Sequence, residues 1–299
     1  MMAVAGALTI AFSAILVRLA DVSPSTAAIF RCVYALPLLA VLARREDLLY
    51  GARPSRTRRL AGAAGLLLAM DLIAWHHSIE DVGAGLATVF ANLQVVLVPF
   101  IAWLVVRERP TPSAAVALPL VVVGVLLISG VLERGAFGRH PQAGVLFGLL
   151  TAAAYAGFIM LMRSGGIDLR RPAGPLFDAT ASAAVGAIAG GIALGEADFV
   201  PSWPAHGWLV LLAVSSQVLG WLMITTSLPR LPAGQTSLLL TIQPVGSVAL
   251  GALILGESPS TLQLAGVGLV LACVGRVAGV PAAANANPGS PSRSPTQQT

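Results

Sequence analysis

Apolar runs of about twenty residues follow one another from Met2 to Val277, and that is the length needed to span the hydrocarbon of a bilayer. The runs lack the short alternating pattern of a membrane β-barrel, so the chain is expected to be an all-α polytopic membrane protein. Only 10% of the 299 residues are charged and mean hydropathy is +0.83, whereas soluble domains carry about 25% charged residues. The net charge of +5 comes with 18 basic residues, all arginine. They lie mostly between the runs, where they set topology in a bilayer, so no nucleic-acid partner is expected. Cys32 and Cys273 fall inside apolar runs and are expected to be free thiols. No Cys or His spacing suits a metal, and no cofactor is expected.

One apolar run is written twice. AGLATVFANLQVVLVPFIAWLVVRERP, from Ala84 to Pro110, returns from Ala233 to Pro259 as AGQTSLLLTIQPVGSVALGALILGESP. Gln94 corresponds to Gln243 and Glu108 to Glu257, at a constant offset of 149 residues. Each copy is followed by a further apolar run, so the chain reads as two similar halves, the pattern of many secondary carriers.

Ten segments are expected: Met2–Ala20, Ser25–Ala43, Leu60–Ile79, Ala84–Val106, Ser113–Ser129, Ala143–Met162, Pro175–Leu194, Gly207–Leu228, Ala233–Leu255 and Thr261–Val277. They form a first five-helix repeat over 1–130, a connecting loop over 131–142 and a second repeat over 143–278. A Pro-, Ser-, Asn- and Gln-rich cytoplasmic tail over 279–299 is expected to be disordered. Five crossings are odd, so the second repeat is inverted relative to the first. With the N-terminus inside, the inner connections hold fourteen arginines and the outer ones only Arg134 and Arg139. That bias sets both termini as cytoplasmic.

The opening AFSAILVRLADVSPSTAAIFRCVYALPLL, the endings VVRERP and ILGESP, and the glycine-bearing VVVGVLLISG and AGVGLVLACVG resemble the drug/metabolite transporter superfamily. The likeness is to its ten-helix EamA-type members and covers roughly residues 3–278. It implies a multi-pass carrier in the bacterial cytoplasmic (inner) membrane with a cavity between the halves. Exported amino acids, other metabolites or drugs would be its cargo. These motifs specify fold better than substrate.

Polar residues inside apolar runs are the candidate site. Ser237, Thr241, Pro244, Ser247 and Gly251 share one face of their segment, and Thr88 and Asn92 match Ser237 and Thr241. Such stripes line a cavity or let helices pack closely. Gln94 and Gln243 lie on another face, where they would contact ligand or neighbouring helices. Pro99 and Pro244 each remove a backbone hydrogen bond and can kink their helix. Asp71 sits mid-segment, where a lone carboxylate costs about 2.5–3.5 kcal/mol on insertion scales. It therefore calls for a structural pair with Arg31, or else it binds a cationic group or a proton. The matching arginine in the second helix of EamA-type repeats leans Arg31 towards structure.

His76 and His77 lie near the outer end of the third segment, as hydrogen-bonding groups or as proton carriers. Trp75 shares the face of Asp71, and Gln217, Gly220 and Trp221 form a similar patch. Thr151 and Tyr155 lie four apart in the sixth segment. Aromatic walls with an amide and a carboxylate suit an amphipathic or zwitterionic small molecule. Glu108 and Glu257 end their segments as capping or interface residues, and Asp178 is expected in solvent. The leading reading is a secondary transporter, not an enzyme, in contact with lipid bilayer. Proton coupling and a homodimer stay open. No GxxxxGK[ST] loop for ATP occurs. The alternatives are a carrier of phosphorylated or nucleotide sugars, for which only Arg31 is a deep cation, and a membrane enzyme on lipid-linked substrates.

Overall fold

The computed structural model describes residues 2–107, 112–129, 132, 136–164, 168, 170–227 and 233–278. All regular structure among them is helical. Five spans are long and apolar enough to cross a membrane: Pro24–Tyr50, Ser55–Val82, Pro141–Met162, Ala173–Leu194 and Ala205–Thr226. Shorter apolar stretches cover Val4–Ala20, Ala84–Val98, Ala115–Ile128, Ile242–Leu255 and Thr261–Arg276. Glu108 and the tail over 279–299 lie outside the described residues.

The first segment is two helices, α1 (Met2–Ala11) and α2 (Ser13–Ala20). Backbone carbonyls at the break are taken by hydroxyls: Ser13 Oγ donates to the Ile10 carbonyl at 2.5 Å and Ser247 Oγ to that of Ala11 at 2.7 Å. Helix α3 (Pro24–Tyr50) starts on a Ser23 cap, with the Thr26 amide donating to the Ser23 hydroxyl at 3.2 Å. It runs on past the expected end at Ala43, through an arginine–glutamate turn that favours helix, until Gly51 at φ +79° stops it. Helix α4 (Ser55–Val82) likewise begins earlier than Leu60, directly after Pro54.

The expected fourth segment is not continuous. It is α5 (Ala84–Ala91) and α6 (Gln94–Val106), broken at Asn92–Leu93. Asn92 Nδ2 donates to the Thr88 carbonyl at 2.9 Å and competes for it with the Asn92 amide at 3.3 Å. The chain tightens there to three-residue bonds, Leu93 to Phe90 and Val95 to Asn92. The break therefore precedes Pro99. Then come α7 (Pro112–Ile128), α8 (Pro141–Ser164), α9 (Ala173–Leu194) and α10 (Ala205–Leu212). A π-helical stretch, Ala213–Gly220, leads into α11 (Trp221–Ser227), and α12 (Ala233–Leu255) and α13 (Thr261–Ala278) follow. Pro244 lies within α12, which stays one helix.

Packing crosses between the halves. Helix α4 lies on α8 and α9, α3 on α9, α5 on α12, and α7 on α13. The contact of α4 with α8 has a counterpart in that of α10–α11 with α1–α2. Small residues permit the close crossings: a Cβ at Gly65 would strike the Ala179 carbonyl, and one at Gly266 would lie 2.6 Å from the Gly124 carbonyl.

Matching segments run antiparallel. At one end of α3 the Ala173 and Gly174 amides of α9 donate to the Glu46 carboxylate at 2.9 and 2.7 Å. At the other, Ser25 Oγ donates to Glu196 Oε2 at 2.6 Å, just beyond the end of α9. Ser25 and Glu46 are 21 residues apart on helix α3, which separates these clamps by about 32 Å. The repeated stretches also meet start to end: the Ala84 and Gly85 amides donate to Glu257 at 2.6 and 3.1 Å, a carboxylate on the positive end of α5.

Candidate functional site

The buried Arg31 side chain of α3 organises the centre of the bundle. Its Nε donates to Gln217 Oε1 at 2.9 Å and its Nη2 to Ser216 Oγ at 3.4 Å. The expected Arg31–Asp71 pair is not formed, and no ion pair joins them among the described residues. Gln217 Nε2 donates to Thr180 Oγ1 of α9 at 3.2 Å, which fixes the orientation of the amide. The wide π turn presents Ser216 and Gln217 together to Arg31. Its backbone bond runs from the Trp221 amide to the Ser216 carbonyl, five residues back.

Above Arg31 lies Trp75, its ring centroid 5.5 Å from the guanidinium carbon. Asp71 is buried one turn earlier on α4, and its carbonyl accepts from Thr151 Oγ1 at 3.4 Å. The Asp71–Trp75 face of α4 thus meets the Thr151–Tyr155 face of α8. Tyr155, Phe158 and Trp221 complete an aromatic corner: Trp221 stands edge-on to Tyr155 at 6.1 Å and to Phe158 at 5.5 Å.

Three buried side-chain atoms here have no hydrogen-bond partner: Arg31 Nη1, Trp75 Nε1 and His76 Nε2. The Trp75 and His76 rings are 5.4 Å apart, so the three form one neighbourhood. His76 Nδ1 is 3.0 Å from the Pro24 carbonyl. A carbonyl only accepts, so Nδ1 carries the proton and Nε2 of the neutral ring is an acceptor.

His76 also lines a cavity of about 980 Å³ at the end where α2, α4 and α12 finish. Arg18, Asp21, Glu80, Arg139 and Glu257 are among its other walls. His77 turns elsewhere, 3.2 Å from Glu196 Oε2 and stacked on Phe147. At the opposite end of the bundle, ion pairs join α3 and the connection after it to α9 and the residues before it. Arg53 Nη1 is 2.5 Å from Asp178 Oδ2 and Arg53 Nε is 3.3 Å from Asp47. Arg171 joins Asp47 at 2.9 Å and also donates to the Gly51 carbonyl. Asp178 is therefore a half-buried ion-pair member, not the solvated group expected.

Of the singled-out residues, Arg31, Asp71, Trp75, Tyr155, Gln217 and Trp221 come together. Thr88 and Asn92 do not join them: Thr88 on α5 and Asn92 just past its end are buried and bond back to α5, to the Ala84 and Thr88 carbonyls. Gln243 is half-buried and Pro244 buried on α12. The side chains of Pro99, Ser237 and Thr241 lie outside the description. Sequence reasoning missed Phe158, Thr180 and Ser216. Phe158 carried no signal among other apolar residues, and hydroxyls are common in membrane helices. No group of three metal-ligating side chains occurs among the described residues.

Comparison with known proteins agrees with this architecture. An uncharacterised protein of Pseudomonas aeruginosa is 30% identical over 220 residues, 71% of this chain and 72% of that one. A known crystal structure is similar in fold at TM-score 0.59 and 15% identity, over 92% of this chain and 95% of that one. The EamA-like transporter family matches twice, over residues 1–130 and 142–277. Two matched halves, an all-helical bundle of apolar helices and a polar centre between them give one conclusion: this multi-pass membrane protein belongs to the EamA-like transporter family of the drug/metabolite transporter superfamily, a family of transporters and not of enzymes.

Proposed function

We propose that this protein is a secondary transporter that moves a small zwitterionic or amphipathic metabolite across the bacterial cytoplasmic membrane by alternating access. Ten crossings form two inverted five-helix repeats with both termini in the cytoplasm. The arginine bias supports that orientation, and the antiparallel pairing of α3 with α9 and of α5 with α12 supports the inversion. Export of amino acids, other metabolites or drug-like compounds is the direction and cargo that the family resemblance favours.

The observation that carries the reading is the trio of unpartnered buried atoms, Arg31 Nη1, Trp75 Nε1 and His76 Nε2. Leaving a polar group buried and unpaired costs about 1–3 kcal/mol. A bound solute that supplies the missing partners recovers that cost. Two donors side by side suit a carboxylate. An acceptor nearby, with Asp71 on the same helix face as Trp75, suits an ammonium or hydroxyl group. Tyr155, Phe158 and Trp221 suit an apolar body. The outer cavity reaches His76, and the ion pairs of Arg53, Asp47, Arg171 and Asp178 hold α3 and α9 together at the other end, which supports an outward-facing step.

Counterflow in proteoliposomes tests this. A labelled carboxylate-bearing solute should accumulate against its unlabelled form, and Arg31→Gln should abolish accumulation while the protein stays folded. Failure across a broad panel of amino acids and organic cations would overturn the reading. Comparing uptake with and without a pH gradient in Asp71→Asn tests proton coupling.

A further inference from the structure

The arginine-rich end of the bundle is indented between the start of α4 and α9. A groove of about 570 Å³ is lined there by Arg53, Arg58, Arg59, Gly62, Phe177 and Ala181. The two helices are in tight contact deeper in the bundle, where a Cβ at Gly65 would strike the Ala179 carbonyl and lie 2.8 Å from Ser182 Cβ. One turn nearer the end they have parted: a Cβ at Gly62 would meet nothing within 4 Å. The groove is a wedge with two chemistries. Its mouth holds three guanidiniums against the single carboxylate of Asp178. Arg53 is committed to Asp178 and Asp47, but Arg58 only reaches Asp178 at 4.0 Å with 62% of its side chain exposed, and Arg59 is exposed. Its inner part is apolar, formed by Gly62, Phe177 and Ala181 on two helices that are long and apolar enough to cross the membrane.

We infer that this wedge holds one anionic phospholipid of the cytoplasmic leaflet. The phosphate sits between Arg58 and Arg59, and an acyl chain lies along Gly62, Phe177 and Ala181. Charge complementarity selects the headgroup, because basic pockets between membrane helices on the cytoplasmic side attract anionic lipids. The apolar half selects a lipid over a free anion, which would leave that half unfilled. This inference does not depend on which solute the protein carries.

The test uses the full chain in nanodiscs of phosphatidylcholine, with and without phosphatidylglycerol, read by native mass spectrometry and thermal unfolding. Retained phosphatidylglycerol and a raised unfolding midpoint are expected. The double variant R58Q/R59Q should bind this lipid about thirty-fold more weakly and keep its midpoint in phosphatidylcholine. Ala181→Leu, which fills the apolar half, should lose the lipid with all the arginines in place. R44Q/R45Q, changed at exposed arginines on α3, should behave as the unmodified chain. An equal loss in R44Q/R45Q would reduce the effect to bulk membrane charge and overturn the site. The same protection by inorganic phosphate alone, or unchanged retention in both R58Q/R59Q and Ala181→Leu, would overturn it too.

Discussion

Arg31 Nε donates to Gln217 Oε1 at 2.9 Å, joining α3 to the π-helical stretch across 186 residues of chain. The bond ties the first half of the protein to the second inside the bundle, where a bare guanidinium would be costly. Gln217→Ala should leave Arg31 short of a partner and lose the link to Thr180. The expected destabilisation is about 1–3 kcal/mol, read as a lower unfolding midpoint in detergent. Gln217→Glu, which keeps the acceptor, should recover most of it. An unchanged midpoint in Gln217→Ala would show that the bond contributes nothing to the fold.

Trp75 separates binding from folding. Its Nε1 has no protein partner, so Trp75→Phe removes a donor while keeping a ring against Arg31. Thermal stability should change little. Apparent substrate affinity should fall about five- to tenfold, the equivalent of one hydrogen bond of about 1 kcal/mol. Uptake kinetics in proteoliposomes check this, and an unchanged KM would remove Trp75 Nε1 from the site.

Two glycines of α4 should respond with opposite sign. Gly65→Leu forces side-chain atoms into the Ala179 carbonyl and should destabilise by about 1–3 kcal/mol. Gly62→Ala adds a methyl in open space and gains helix propensity, so in detergent it should stabilise by about 0.5–1 kcal/mol. Thermal unfolding of both variants distinguishes a close crossing from a loose one.

Glu257 caps α5. Both its oxygens accept amides at the start of α5, so Glu257→Ala should cost about 0.5–2 kcal/mol through loss of a charged cap. The walls of the cavity that it lines should also loosen. A cysteine introduced at Ala136, which lines that cavity, should then react faster with a membrane-impermeant thiol reagent. No change in rate would separate the cap from the cavity.

Hydropathy carried much of this architecture, because a membrane segment announces itself by composition and the repeat by its 149-residue offset. It also exposed Arg31, Asp71, Trp75, Gln217 and Trp221, since each is costly or conspicuous inside an apolar run. It could not pair them. Opposite charge favoured Asp71 as the partner of Arg31, but the separation in space is set by how α3, α4 and the π-helical stretch cross. The hydrogen bonds went to neutral groups instead. Local competition for carbonyls was equally hidden. Asn92 read as a cavity-lining residue in a continuous helix, yet its amide bonds back to Thr88 at a helix break. Phe158 and Thr180 had no signature because their chemistry is ordinary until folding sets them beside Trp221 and Gln217.

The π-helical stretch inserts slack into an otherwise regular coil. Excising one residue between Ala213 and Gly220 would let the backbone relax to ordinary winding, and Ser216 and Gln217 would lose the wide turn that presents them together to Arg31, while everything after it keeps its phase. Trp221 would keep its corner and the rod would stay a rod. The polar neighbourhood of Arg31 can therefore be redrawn by a single deletion that the apolar scaffold barely registers and that introduces no new side chain.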